Sequence, residues 1–300
     1  MSGTVALPIY RKRWGLFRNP AVRAEIARLD PVQDCQRIVQ LLVCYEFPFD
    51  ITRCLELALF HTYGSTRVSR LLAATGEFRK HGQKRYDDTR ILIAHFLEDG
   101  YDSEFGSRAI ERMNLIHSKF RIPNEDYLFV LSTFIAYPFN WLRQYGYRPL
   151  TAHEELAWFT FFRNVGQRMG LRQLPDDWAG FQQWVQRYED RYLVYAESNR
   201  DVADSTIAIF AGWFPGPLRF LVPPAVSALI SDKLRQAFGY PAPNPALAGL
   251  LYAALRLRRR CKRYLHLERT PKRLANTRNR TYPGNSYEID RIGPSYWKQR

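Results

Sequence analysis

The chain has 300 residues, of which 46% are hydrophobic, 15% aromatic and 24% charged, and its formal net charge is +15. A chain of this length and apolar content buries a large core without a disulfide or metal staple, so wholesale disorder, a collagen-like repeat and a disulfide scaffold are excluded. The charge is uneven: residues 256–300 carry +11 and residues 1–255 only +4, so a nearly balanced body is joined to a basic C-terminal region.

Residues 1–17 hold no continuous apolar run and no small-residue cleavage site. Arg11 and Arg13 flank Lys12 without forming a twin arginine, so the segment does not read as a secretory signal. Helical periodicity follows. Helices are expected over 20–44, over 50–62 with Ile51, Leu55 and Leu59 in register, over 68–75 with Gly76 as the stop, and over 87–99 and 103–120. Asn124 is the expected N-cap of a long helix kinked at Pro138, and Thr151 with Glu154 forms a capping box for a helix reaching Met169. Further helices are expected from Pro175, over 201–212, 224–238 and 245–267. No alternating strand run, hairpin dipeptide or fixed-period repeat occurs. The chain therefore reads as all-α: a single domain of about ten helices over 1–268 and an irregular basic tail over 269–300.

Two apolar stretches, 207–230 and 236–255, are interrupted by prolines and do not read as membrane spans. The first fits a membrane surface, a lipophilic tunnel wall or plain core. Cys35, Cys44, Cys54 and Cys261 lack metal-site or redox spacing, which points to a reducing, cytoplasmic compartment. The block RLRRRCKRY beginning at Arg256 suits anionic lipid headgroups or polyanions, or simply a solvated helix end. Nucleic acid is the weaker reading, because no helix-turn-helix, zinc-finger or RNA-binding signature accompanies the charge.

Several chemistries are absent. His153 begins a zincin-like HEELA, but Ala157 stands where a second histidine is required. There is no Glu-x-x-His di-iron pair, phosphate-binding glycine loop, nucleophile elbow or covalent-haem motif. Two segments remain. In RMNLIHSKF, Ile110, Met113 and His117 share one apolar helix face, which suits either a haem-iron ligand or a satisfied core histidine. In KRYDDT, Arg85 and Thr89 are one turn apart on the face continued by Leu92 and Phe96. They suit a hydrogen-bonding pair at a reacting oxygen; the plainer alternative pairs Arg85 with Asp88 and makes Thr89 a cap. His95 is the fallback ligand.

The order HTYGSTRVSRLLAATGEF (from His61), KRYDDT, ERMNLIHSKFRIPNEDYLFVLSTF (from Glu111), YRPLTAHEELAWF (from Tyr147) and VGQRMGLRQLP (from Val165) resembles the MpaB-type oxygenases, the family that includes the rubber oxygenases or latex clearing proteins. The resemblance is close over 50–175 and looser to Tyr264. It implies a globin-related helical fold with one non-covalent haem b. His117 is then the axial iron ligand, and Met113, Asn114 and His61 line or position the cofactor. Arg85 and Thr89 are the catalytic polar pair, and dioxygen is the co-substrate. The implied reaction is cleavage of a C=C bond in a lipophilic, isoprenoid-like substrate. The sequence departs from the family at Asp88, where rubber oxygenases carry a lysine, and at Glu77, an imperfect match to their pocket glutamate. Two other readings stand beside this one: a haem-binding sensor or carrier without turnover, and a haem-free helical protein docking on anionic membrane through its basic C-terminus.

Overall fold

The computed structural model describes residues 20–265 and 271–295. The readings made for residues 1–17, for the end of the helix expected over 245–267 and for the 268/269 boundary lie outside the described residues, as do parts of the basic tail.

Among the described residues the secondary structure is helical, with thirteen α-helices and no strand. The helix expected over 20–44 is two, α1 (Ala21–Ile26) and α2 (Cys35–Leu41). Asp30 and Pro31 cause the break: Oδ1 of Asp30 accepts from the amides of Val32 and Gln33, both at 2.8 Å, and this local turn outcompetes the helix. A wider π-helical turn over Leu42–Glu46 continues α2. α3 (Pro48–Thr62) and α4 (Thr66–Thr75) follow, and Gly76 stops α4 with a φ of 66°, a conformation that favours glycine. α5 (Glu77–Glu98) begins well before the expected position 87, with a local break at His81. α6 (Glu104–His117) is capped by Ser103, whose hydroxyl oxygen accepts from the Gly106 amide.

α7 (Asn124–Gln144) runs on through Pro138. Pro123 holds its N-cap position, because the Asn124 side chain instead exchanges two hydrogen bonds with the backbone of Arg172. α8 (Ala152–Arg168) carries the expected Thr151–Glu154 capping box. α9 (Trp178–Tyr192) starts at an Asp177 cap rather than at Pro175, and α10 (Glu197–Ala211) follows. The helix expected over 224–238 is divided into α11 (Val222–Leu229) and α12 (Asp232–Phe238), because Ile230 is extended and the Ser231 hydroxyl caps α12. α13 (Pro245–Tyr264) ends this part of the chain.

α3 lies along α7, α2 along α8 and α5 along α6, while α10 packs on α4 and α5. Trp158, Phe60, Phe129, Phe161 and Phe162 are wholly buried between these pairs. Each such side chain contributes about 1.5–3 kcal/mol of burial. No described helix is long and apolar enough to cross a membrane.

Residues 271–295 form a strap across α5 and α6. Ile289 and Ile292 close a second small core with Ile91, Leu92, Ala109 and Ile116. Buried carboxylates on α5 hold the strap. Asp87 accepts from the Thr281 amide at 3.0 Å and its hydroxyl at 2.6 Å, and Asp88 accepts from the Tyr282 hydroxyl at 2.6 Å. Glu98 and the following Asp99 pair with Arg273. From the strap, the Gly293 carbonyl accepts from Lys84 on α5, and that of Ile292 from Arg112 on α6. Part of the basic charge of the C-terminal region is thus committed to the body.

Candidate functional site

α5 and α6 set the site. Because α5 begins early, Arg85 and Thr89 lie on one continuous helix and are true one-turn neighbours. Nη1 of Arg85 donates to Oγ1 of Thr89 at 2.6 Å, and that hydroxyl donates to the Arg85 carbonyl at 2.9 Å. The hydroxyl thus has its proton on the backbone and a lone pair on the guanidinium, which fixes the side chain's direction. The Arg85 guanidinium also stands 6.0 Å from the Phe78 ring centroid.

The alternative in which Arg85 pairs with Asp88 is not what forms. Asp88 faces the other way, its Oδ2 on Lys84 Nζ at 2.6 Å and its Oδ1 on the Tyr282 hydroxyl. Asp88 thus stabilises the strap, and no carboxylate pairs with Arg85 among the described residues. Glu77 likewise faces the strap, accepting from the amide and hydroxyl of Ser295.

His117 is the last residue of α6. Its ring packs on Tyr127 with centroids 5.4 Å apart, and its Nδ1 is buried with no hydrogen-bond partner. A helix C-terminus favours a cation. Here burial, reinforced by the Arg85 charge, outweighs that and pulls the imidazole down to about 4. The ring is therefore neutral at physiological pH, with its polar edge unanswered by protein. Most buried polar atoms find a partner; here the Nδ1 lone pair or proton is left free to meet a ligand.

Tyr63, buried at the end of α3, packs on Phe78 with ring centroids 5.2 Å apart. Its hydroxyl bonds Thr206 and it feels the Arg85 charge, yet burial pushes its phenol up to about 12. Tyr63, Phe78 and Tyr127 carried no sequence signal, because aromatic residues are common throughout the chain and only packing selects these three. Arg85 links these side chains: it bonds Thr89, stands over Phe78 and acts through its charge on His117 and Tyr63, while Tyr127 packs on His117.

The other sequence candidates are placed differently. Met113, one turn before His117, packs against both hydrophobic cores. Asn114 donates to the Arg168 carbonyl at 3.0 Å and ties α6 to the end of α8. His61 has both ring nitrogens engaged, Nδ1 with the Tyr137 hydroxyl at 2.9 Å and Nε2 with Glu189 at 3.0 Å. His95 is also fully engaged, with Asp99 and Tyr287.

The donor set fits a haem. No group of three or more His, Cys, Asp or Glu side chains able to hold a metal ion occurs among the described residues. A porphyrin brings its own equatorial nitrogens and asks one neutral imidazole of the protein. His117 meets that requirement, and Arg85 supplies a cation beside it.

Residues 62–263 match the family described as ER-bound oxygenase mpaB/B'/Rubber oxygenase, catalytic domain. The chain is similar to the ER-bound oxygenase mpaB' of Penicillium brevicompactum, 31% identical over 238 residues, covering 73% of this chain and 56% of that protein. It is also similar to the ER-bound oxygenase mpaB of Penicillium roqueforti, 32% identical over 213 residues, covering 65% of this chain and 72% of that protein. A second P. brevicompactum relative, ER-bound oxygenase mpaB, is 29% identical over 73% of this chain and 54% of its own length. The chain thus spans little more than half the length of the two P. brevicompactum relatives. With a family match over more than half of its residues, the chain belongs to the MpaB and rubber oxygenase catalytic-domain family.

Proposed function

We propose that this chain is a haem b-dependent oxygenase that uses dioxygen to cleave a C=C bond in a lipophilic, isoprenoid-like substrate. The observation that carries the reading is the neutral imidazole of His117, its buried Nδ1 without a partner, beside an Arg85 guanidinium that no carboxylate pairs among the described residues. Haem, held by His117, would supply the redox chemistry with oxygen. The chain's own residues do the rest. Burial keeps the His117 nitrogen lone pair unprotonated and available. Thr89 holds Arg85 in place, so a fixed positive charge and its N–H donors face any anion that develops at the site, without reorganisation. Tyr63, Phe78 and Tyr127 present apolar faces that exclude water and accept an apolar olefin. Asn114 fixes the last turn of α6 and so the position of His117. The relatives are named as bound to the endoplasmic reticulum, and a lipophilic substrate is found in membranes. We carry both over as a chain that works at a membrane surface.

The test is a visible spectrum of the protein purified with haem available. A Soret band that disappears in His117→Ala and survives in His95→Ala supports the reading; equal retention in both variants refutes the ligand assignment. Carbonyl products from an isoprenoid olefin under oxygen, lost in Arg85→Ala while the Soret band remains, separate an oxygenase from a haem carrier.

A further inference from the structure

α13 is a helix with two apolar faces, and the body uses only one. On the inner face Ala248 is buried, the Tyr252 hydroxyl donates to the Ala228 carbonyl at the end of α11, and Arg258 forms a two-pronged pair with Asp50. On the opposite side Leu247, Leu250, Ala254, Leu257, Cys261 and Tyr264 recur at alternating spacings of three and four, and every one is exposed. Leu250 is 69% exposed, Leu257 63% and Tyr264 65%, so nothing among the described residues covers this stripe. Such a row, straight along a helix and pointing away from the core, is built to be covered.

The charge beside the stripe selects the cover. Arg256, Arg260 and Arg263 are exposed along one flank. From Ser205 to Leu267 the chain carries nine Lys or Arg and a single acid, Asp232, which is itself paired with Arg235. A second copy of this chain would bring two such basic flanks together, and repulsion opposes that. An anionic bilayer surface satisfies both features at once. The leucines and Tyr264 enter the headgroup–acyl boundary, and the arginines extend along it to reach phosphate and carboxylate groups. A second exposed apolar run, Leu218 and Phe220 with Arg219, sits on the turn Gly216–Leu221, which packs on α11, and exposed Phe214 lies just before it.

We propose that the outer face of α13 is a membrane-docking surface, on which the chain lies with the stripe from Leu247 to Tyr264 inserted in the interface of an anionic phospholipid bilayer. This deepens the membrane part of the reading above and is independent of its haem chemistry.

The test is co-sedimentation of the full chain with phosphatidylcholine vesicles, with and without phosphatidylserine. Binding is expected only with phosphatidylserine, and it should fall about tenfold or more when salt rises from roughly 0.05 to 0.3 M, because surface charges are screened. Leu250→Asp combined with Leu257→Asp should weaken binding at least tenfold with an unchanged melting temperature, since both positions are solvent-exposed. Arg256→Gln with Arg260→Gln should weaken binding and flatten the salt dependence. Absence of binding to anionic vesicles, full binding by the double aspartate variant, or a dimer in sedimentation equilibrium that Leu250→Asp dissociates would each overturn the proposal. The assay uses neither haem nor turnover, so a failed Soret test leaves it intact, and its own failure leaves the oxygenase reading intact.

Discussion

Glu98, at the end of α5, makes the stability of the strap dependent on pH. Its side chain is completely buried and accepts from the amides of Leu274 and Ala275, with Arg273 beside it. Burial outweighs these three partners and lifts the carboxyl from 4.5 to about 7. The folded chain therefore keeps a proton that the unfolded chain releases across this range. Stability is fully present below pH 4.5, declines as pH rises, and the loss is complete above pH 7. A shift of this size is worth about 3 kcal/mol. Glu98→Gln removes the titration and keeps a carbonyl acceptor for one of the two amides, and the fixed cost of the other is the same at both pH values. Urea unfolding of wild type and variant at pH 5 and pH 8 reads the effect. The gap between them should move in favour of the glutamine variant by about 2–3 kcal/mol at the higher pH, because most of the titration lies between those values. A gap that is the same at both pH values would show that Glu98 is ionised throughout and that the strap does not bury it.

Three more outcomes are expected. Arg258→Ala leaves the Asp50 carboxylate buried with, among the described residues, the Trp141 indole N–H as its remaining side-chain partner, so it should lower unfolding free energy by about 3–5 kcal/mol, and adding Asp50→Asn should recover much of this in urea titration. Asp88→Lys places an ammonium against Lys84 and leaves the Tyr282 hydroxyl without its acceptor. Faster proteolysis in the strap at unchanged haem content is the expected result, and a changed Soret position would instead put Asp88 at the haem. Gly106→Ala drives a methyl into the Gly100 carbonyl, a backbone atom that cannot rotate away, and should cost roughly 1–3 kcal/mol in thermal or urea unfolding.

The legible parts of the fold were those governed by local rules. The Thr151–Glu154 capping box, the Gly76 stop and the Ser103 start depend on residues within one turn, and each forms as the spacing requires. The illegible parts were decided by competition or by distant contacts. Asp30 could be a helix residue or a turn, and Pro31 beside it decides for the turn. Asn124 has the right type for an N-cap, but the backbone of Arg172, far away in sequence, offers it two hydrogen bonds instead.

The site divides in the same way. The Arg85–Thr89 spacing and the apolar register of His117 were readable, because both follow from helix geometry. The direction of Asp88 was not, and it bears most on function. In sequence Asp88 stands beside the polar pair and looks like its natural counter-ion. In the structure the strap arrives from nearly two hundred residues later, with the Tyr282 hydroxyl as its hydrogen bond to Asp88, while Lys84 forms the ion pair. That contact turns Asp88 away from Arg85. A guanidinium neutralised by a carboxylate would neither depress the His117 imidazole nor offer its field to an anion in the site. The strap, which touches none of the site's side chains through any hydrogen bond described, is thus what leaves the Arg85 charge uncompensated.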